Sequence, residues 1–420
     1  MTETNLPRLL LDAITQSYLA SSAFNGISLA DIKDLFKHSE VKRPLSDLIR
    51  QGLIAPVFGD RHPNRHVRAL PEHHSIDRQI EILNEPTASP CLYPLPKHLE
   101  QAVDRATYVG RPYSLALALG EPRLTHHFFE LVALETYRND PRYSYDVDDM
   151  SGTLSIHDNV AIDQAHQVYI QQFGFAYDDQ WNKYVAVTAW DLHRLSSEHQ
   201  QKWKMHETDI SAHLNPDYFR ATILGEWPEY ISMYQGFLEE LQLINKMSTA
   251  MGRPVLFRED YKNKSRPRGL YSLLRPTSRE YNDFVQLLDK LMSDNINKPF
   301  FQTDVADHDM IPLADGSFER RVHGTIQMLD DWTNRYFRPS DPAPILAMLA
   351  TFRKVRRERQ APAHAEQENL FDNAYLQKQQ ELMTAAYGAV RTLRLILANH
   401  PAAQGIEVSE WLKEGKIWPA

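Results

Sequence analysis

Apolar positions recur at three- and four-residue steps in several long stretches of the chain and alternate in others, which separates helices from strands. Leu6 to Leu19 is apolar-rich and predicts a helix. Ser28 followed by Asp31 predicts an N-cap with an acidic first turn, opening a short helix to about Lys37. Pro44 suits the first turn of a third helix through Leu45, Leu48 and Ile49, with Gly52 as its C-terminal stop. The stretch LIAPVFGDRHPNRHVRAL, residues 53–70, then alternates and turns as a two-stranded hairpin would. Gly59-Asp60 and Pro63-Asn64 stand at its tip.

Residues 71–100 are polar and proline-containing and read as a linker. The pair His73-His74 invites a metal reading, but without carboxylates or cysteines at ligand spacing an exposed loop is expected. Residues 101–265 read as an α+β domain. Leu124 to Tyr137 predicts a helix stopped by Asn139-Asp140-Pro141. Tyr143, Tyr145 and Val147 alternate as a strand, with Thr153 to His157 returning as its partner. Val168–Tyr177 and Tyr184–Trp190 predict a second pair, Ser196 and Ser197 an N-cap, and Glu229–Met251 a long amphipathic helix. Asp140, Asp146, Asp148 and Asp149 are numerous enough to raise a metal hypothesis. They divide between strand faces, however, and turn chemistry explains them more simply.

From Pro276 the pattern becomes helical throughout. Thr277 with Glu280 makes a capping box ahead of Tyr281, Phe284, Leu287, Leu288 and Leu291. Val322, Ile326, Leu329 and Tyr336 define a second helix, stopped by Pro339. A fourth runs from about Asp372 to Asn399. The third carries Ile345, Met348, Leu349, Phe352 and Val355 on one stripe, and the next inward position is Arg359. An arginine there needs an anionic or hydrogen-bonding partner, such as Asp294 or Glu366 within the chain. Arg353, Lys354, Arg356 and Arg357 make its flank basic. Pro362 ends the helix, so His364 falls just past the break. The fold class expected is multidomain α+β: residues 1–70, a linker over 71–100, an α+β domain over 101–265 and a four-helix bundle over 276–420.

Composition narrows the options. The 420 residues carry 46 Lys and Arg against 55 Asp and Glu, so nucleic-acid binding, if present, must be local. One such place exists. Between Lys37 and Arg68 stand seven cations (Lys37, Lys42, Arg43, Arg50, Arg61, Arg65 and Arg68) against three acids (Glu40, Asp47 and Asp60). Cys91 is the single cysteine, which excludes an internal disulfide framework and a multi-cysteine zinc site. No run of eighteen apolar residues and no signal-peptide pattern occurs, so a cytoplasmic protein without membrane association is expected. No glycine-rich phosphate loop, Ser-His-Asp spacing or HExxH is present. No metal or cofactor is expected.

Two resemblances add to this. The first seventy residues resemble winged helix-turn-helix domains, in which the third helix enters the DNA major groove and the wing touches backbone. The segment Arg359-Gln-Ala-Pro-Ala-His364, ending an amphipathic bundle helix, resembles the Arg-x4–6-His signature of the HEPN superfamily, although Gln360 stands where the family usually has Asn, Asp or His. That resemblance implies a metal-independent endoribonuclease acting on RNA at a homodimer seam, of a kind suited to stress response or phage defence. His364 would be the general acid or base and Arg359 the phosphate clamp, with Arg356 and Arg357 drawing in backbone phosphates. Lys42, Arg43, Arg61 and Arg65 would contact nucleic acid through the N-terminal domain. The alternative expectation is a non-enzymatic DNA-binding regulator or assembly protein whose bundle only dimerises.

Overall fold

Capping side chains start many of the helices. In the computed structural model, Ser28 accepts from Asp31 N, Ser75 from Arg78 N, Thr188 from Asp191 N, Ser196 from His199 N and Thr277 from Glu280 N. The structure describes residues 5–37, 39–148, 150–157, 163, 167–180, 182–227, 229–261, 267, 269–301, 304–315, 317–360 and 368–418. It separates into two units, residues 1–146 with 150–219, and residues 220–420 with 147–149. Both mix helix and strand, and the fold is α+β. Among the described residues no helix is long and apolar enough to cross a membrane.

The first unit opens with α1 (Leu6–Ala20), β1 (Ile27–Ser28), α2 (Leu29–Leu35), α3 (Lys42–Arg50), β2 (Ile54–Val57), α4 (Ile76–Asn84) and β3 (Cys91–Pro94). The three strands form a sheet in the order β1-β3-β2, antiparallel at both pairings. Leu10, Ile14, Ile32, Leu45, Leu48, Ile49 and Leu83 share one core with Leu92 of β3. The three expected helices are present, but the hairpin is not. β2 pairs with residues 91–94, and residues 58–75 between them form turns and loop. The expected linker over 71–100 is corrected accordingly: it holds α4 and the central strand of this sheet. Burial decides the pairing, because Cys91, Leu92 and Tyr93 are sealed in the interior while residues 61–66 are largely exposed polar groups.

The unit continues with α5 (Pro96–Ala102), α6 (Pro112–Ala118), β4 (His126–Glu130), α7 (Glu135–Arg138), β5 (Tyr143–Val147), β6 (Ser151–Ile156), β7 (Tyr169–Tyr177), β8 (Lys183–Thr188), α8 (Ala189–His193), α9 (Ser197–Lys204), β9 (His213–Leu214) and α10 (Pro216–Phe219). Among the described residues the second sheet runs β4-β8-β7-β6-β5, with β9 also on β7. The helix expected over Leu124–Tyr137 begins instead as a strand and becomes helical only from Leu131, as a 3-10 turn over Leu131–Leu134. His126 to Glu130 pair antiparallel with β8, and only Glu135–Arg138 are α-helical. Pairing with a buried neighbouring strand outweighs the helical spacing of a short apolar run. Tyr18, Cys91, Tyr93, Leu99, Leu117 and Ala189 share one core, so the boundaries expected at 70 and 100 do not separate packed bodies. At Gly174 on β7 the ring of Tyr218 occupies the place a Cβ would need.

The second unit comprises β10 (Ile231–Ser232), α11 (Met233–Ala250), α12 (Ser278–Leu291), β11 (His308–Pro312), β12 (Phe318–Val322), α13 (Thr325–Tyr336), α14 (Ala343–Gln360), α15 (Ala374–Ala398), α16 (Glu410–Glu414) and β13 (Ile417–Trp418). α11 packs along α15, and α14 packs between α12 and α15. The helix expected in the α+β domain is therefore part of the bundle. Phe237, Leu241 and Ile244 of α11 share a core with Leu288, Phe352, Val355, Leu393 and Leu397. Glu240 of α11 and Arg394 of α15 form a buried ion pair inside it. Val322, expected on the second helix, ends the exposed hairpin β11–β12.

Candidate functional site

The stripe of α14 is buried as its spacing requires: Ile345, Met348, Leu349, Phe352 and Val355 face the core. Arg359 comes next, and it meets acids. Its Nη1 lies 2.6 Å from Asp289 Oδ2 and 2.6 Å from Asp294 Oδ2. Arg356 joins the same cluster, with Nη2 2.6 Å from Asp294 Oδ1 and Nε 3.2 Å from Asp289 Oδ1. That last approach is a charge contact without hydrogen-bond alignment. Asp289 lies in the last turn of α12 with no solvent exposure, where the helix dipole and burial both oppose its charge. The two guanidiniums supply the compensation. Burial works against the Asp294 carboxylate, but Arg356 and Arg359 hold it below its ordinary pKa.

The rest of the basic flank is also engaged. Arg353 pairs with Asp330, Lys354 lies 3.8 Å from Glu358, and Tyr281 donates to Glu358 at 2.6 Å. Arg357 is exposed, and among the described residues it has no partner. The structure thus brings Arg356 and Arg359 together on two internal carboxylates, as the Asp294 alternative anticipated. Arg359 is still 31% exposed. His364, Pro362 and Glu366, and with them the expected Arg359–His364 pairing, lie outside the described residues.

The N-terminal cations divide into two groups. Lys42 Nζ donates to Asn84 O at 3.1 Å, holding the C-terminal end of α4, and Arg65 donates to Ser89 O. Arg68 donates to Gly120 O at 2.8 Å, and Arg50 pairs with Asp47 at 2.9 Å. Lys37, Arg43 and Arg61 are exposed with no partner among the described residues. The acids of this stretch stay at the surface but have local partners: Glu40 accepts from Lys42 N, Asp47 faces Arg50, and Asp60 faces a histidine pair.

That pair is His73-His74, expected as exposed loop. Asp60 Oδ2 lies 2.7 Å from His74 Nε2 and 3.2 Å from His73 Nε2, so the loop supplies the carboxylate that the local spacing lacked. No sequence signal pointed to this, because Asp60 lies on the far side of a loop from the histidines. The aspartates weighed as a metal cluster behave otherwise: Asp140 chelates Arg142, and Asp149 lies outside the described residues.

Two further clusters were not legible in the sequence. His127 stands between Glu207 (2.8 Å) and Glu121 (3.2 Å), and Tyr113 Oη and Lys204 Nζ also donate to Glu207. Burial alone would depress His127, but the two carboxylates push it up to about 9. With both ring nitrogens committed it is a charged strut rather than a proton acceptor at neutral pH. Ser114 Oγ lies 2.9 Å from His193 Nδ1, an arrangement with the outline of a nucleophile and base. His193 Nε2 faces the carbonyl of Ser22 rather than a carboxylate, and Ser114 is 1% exposed, so this is packing.

Compared with protein-family models, curated proteins and solved structures, the chain matches none.

Proposed function

We propose that this chain is a non-enzymatic nucleic-acid-binding protein that engages phosphate through the cationic surface of its N-terminal elements. One observation carries this. The acids between residues 37 and 68 each have a local partner at the surface, while Lys37, Arg43 and Arg61 reach solvent unpaired among the described residues. A local excess of free cations in an otherwise acidic chain favours a phosphate backbone. The helix order and the β1-β3-β2 sheet support the resemblance to winged-helix domains, in which the third helix reads DNA. The role of the bundle in this reading is structural, because its arginines already neutralise buried acid.

The experiment is fluorescence anisotropy of the full chain with duplex DNA and with RNA across a salt series. Salt-sensitive binding that weakens in Arg43→Gln and Arg61→Gln supports the reading. Binding unchanged in both, or absent at low salt, removes it.

A second reading, the HEPN-type ribonuclease, draws on the partial exposure of Arg359 at the end of α14, where the segment bearing His364 begins. Incubation with total RNA in EDTA decides between the two. Cutting that His364→Ala abolishes favours the nuclease, and intact RNA favours the binding protein.

A further inference from the structure

The loop after β2 and the residues that open α4 put three ligand atoms into one small volume. His73 Nε2 and His74 Nε2 both point at Asp60 Oδ2, at 3.2 and 2.7 Å, and the two rings lie 3.9 Å apart. All three donor atoms fall within 4.8 Å of one another. Two adjacent imidazoles aimed at one carboxylate oxygen bring two nitrogen lone pairs and an anionic oxygen together, a donor set that suits a divalent cation bound in place of protons. Tetrahedral zinc, with bonds of about 2.0–2.1 Å, sets its ligand atoms roughly 3.3 Å apart. The His73–Asp60 spacing already meets this, and His74 needs to withdraw by roughly half an ångström.

Neighbouring side chains hold the backbone around the two histidines. Glu72 Oε1 lies 3.6 Å from His73 Nδ1, the nitrogen turned away from the cluster, and accepts from the backbone N–H of both His73 and His74 at 2.9 Å. The buried Gln79 donates to His74 O, and the ring of Phe58 meets His74 edge-on. Asp60 is 44% exposed, which leaves room for water or a further ligand.

We infer that Asp60, His73 and His74 form a binding site for a borderline divalent transition-metal ion, zinc being the best match to two imidazoles and one carboxylate. The site does not depend on nucleic-acid binding, although Asp60 enters both. Binding an ion here ties the loop after β2 to the start of α4.

Equilibrium dialysis of the full chain against Zn2+ near neutral pH is expected to show one ion per chain held more tightly than the rest. Co2+ in its place should give visible d–d bands. His73→Ala and Asp60→Asn should each weaken the site roughly tenfold or more, while His62→Ala leaves it unchanged. Because the chain has 18 histidines, a wild-type measurement stands beside these. Zn2+ should protect His73 and His74 from diethylpyrocarbonate in peptide maps. Wild-type affinity in the folded variants overturns the inference, as does equal modification of both histidines with and without zinc. The footprint decides the matter if the variants fail to fold.

Discussion

Arg359 Nη1 lies 2.6 Å from Oδ2 of Asp289, a carboxylate that is itself sealed from solvent. The relationship is asymmetric: the aspartate cannot find water if the arginine leaves, whereas the arginine is partly exposed and can. Arg359→Ala is therefore expected to destabilise the second unit by roughly 2–4 kcal/mol, toward the lower side of a broken buried pair because Arg356 stays. Chemical denaturation with a double-mutant cycle against Asp289→Ala measures it. A change below roughly 0.5 kcal/mol would mean that the cluster is only a surface decoration.

The His127 cluster gives the first unit a pH dependence. Its folded pKa of about 9 stands above the ordinary value near 6.5, so protonation favours the folded state. The stabilisation is complete below about pH 6.5 and is lost as pH rises through about 9. Glu207 contributes from the other side. Burial would raise it, but His127, Lys204 and Tyr113 hold it at about 2, and its share is lost as pH falls from about 4.5 toward that value. In His127→Gln the alkaline loss between about pH 6.5 and 9 should disappear, as thermal melts across pH would show. A variant that keeps the slope removes this assignment.

His126, next along β4, behaves in the opposite sense. Burial depresses it to about 4, aided by the charge of His127. It is neutral when folded, so its contribution is present above about pH 6.5 and lost as pH falls through about 4. NMR titration of the two imidazoles should separate them widely, and a shared titration near their ordinary value would contradict the geometry.

Gly174→Ala should cost roughly 1–3 kcal/mol, because the new methyl would enter the ring of Tyr218, which is itself 1% exposed. Pairing Gly174→Ala with Tyr218→Ala tests the cause: the double variant should lose less than the sum of the two. Additive losses would point elsewhere.

Cys91 is fully buried, and burial pushes its thiol up to about 11. Iodoacetamide is expected to leave it unmodified in the native protein and to label it on unfolding, since thiolate and access are both lacking. Mass spectrometry reads this directly. Rapid native labelling would place β3 nearer the surface.

Much of the local architecture follows from sequence order. Apolar spacing and caps marked α1, α2, α3, α12, α14 and α15, because a helix face and its first turn are encoded within a few residues. The same spacing singled out Arg359 as an inward arginine, and the need to compensate its charge made Asp294 or Glu366 an expected partner. Tertiary structure decided what lies between distant segments. It seated residues 91–94 beside β2, turned His126–Glu130 into a strand, and took α11 into the bundle. It also placed Asp289 beneath two arginines and Asp60 against His73 and His74. The physical reason is the same in each case: strand pairing and charge compensation act between groups remote in the chain, and their strength is set by burial, which appears only when the chain is packed.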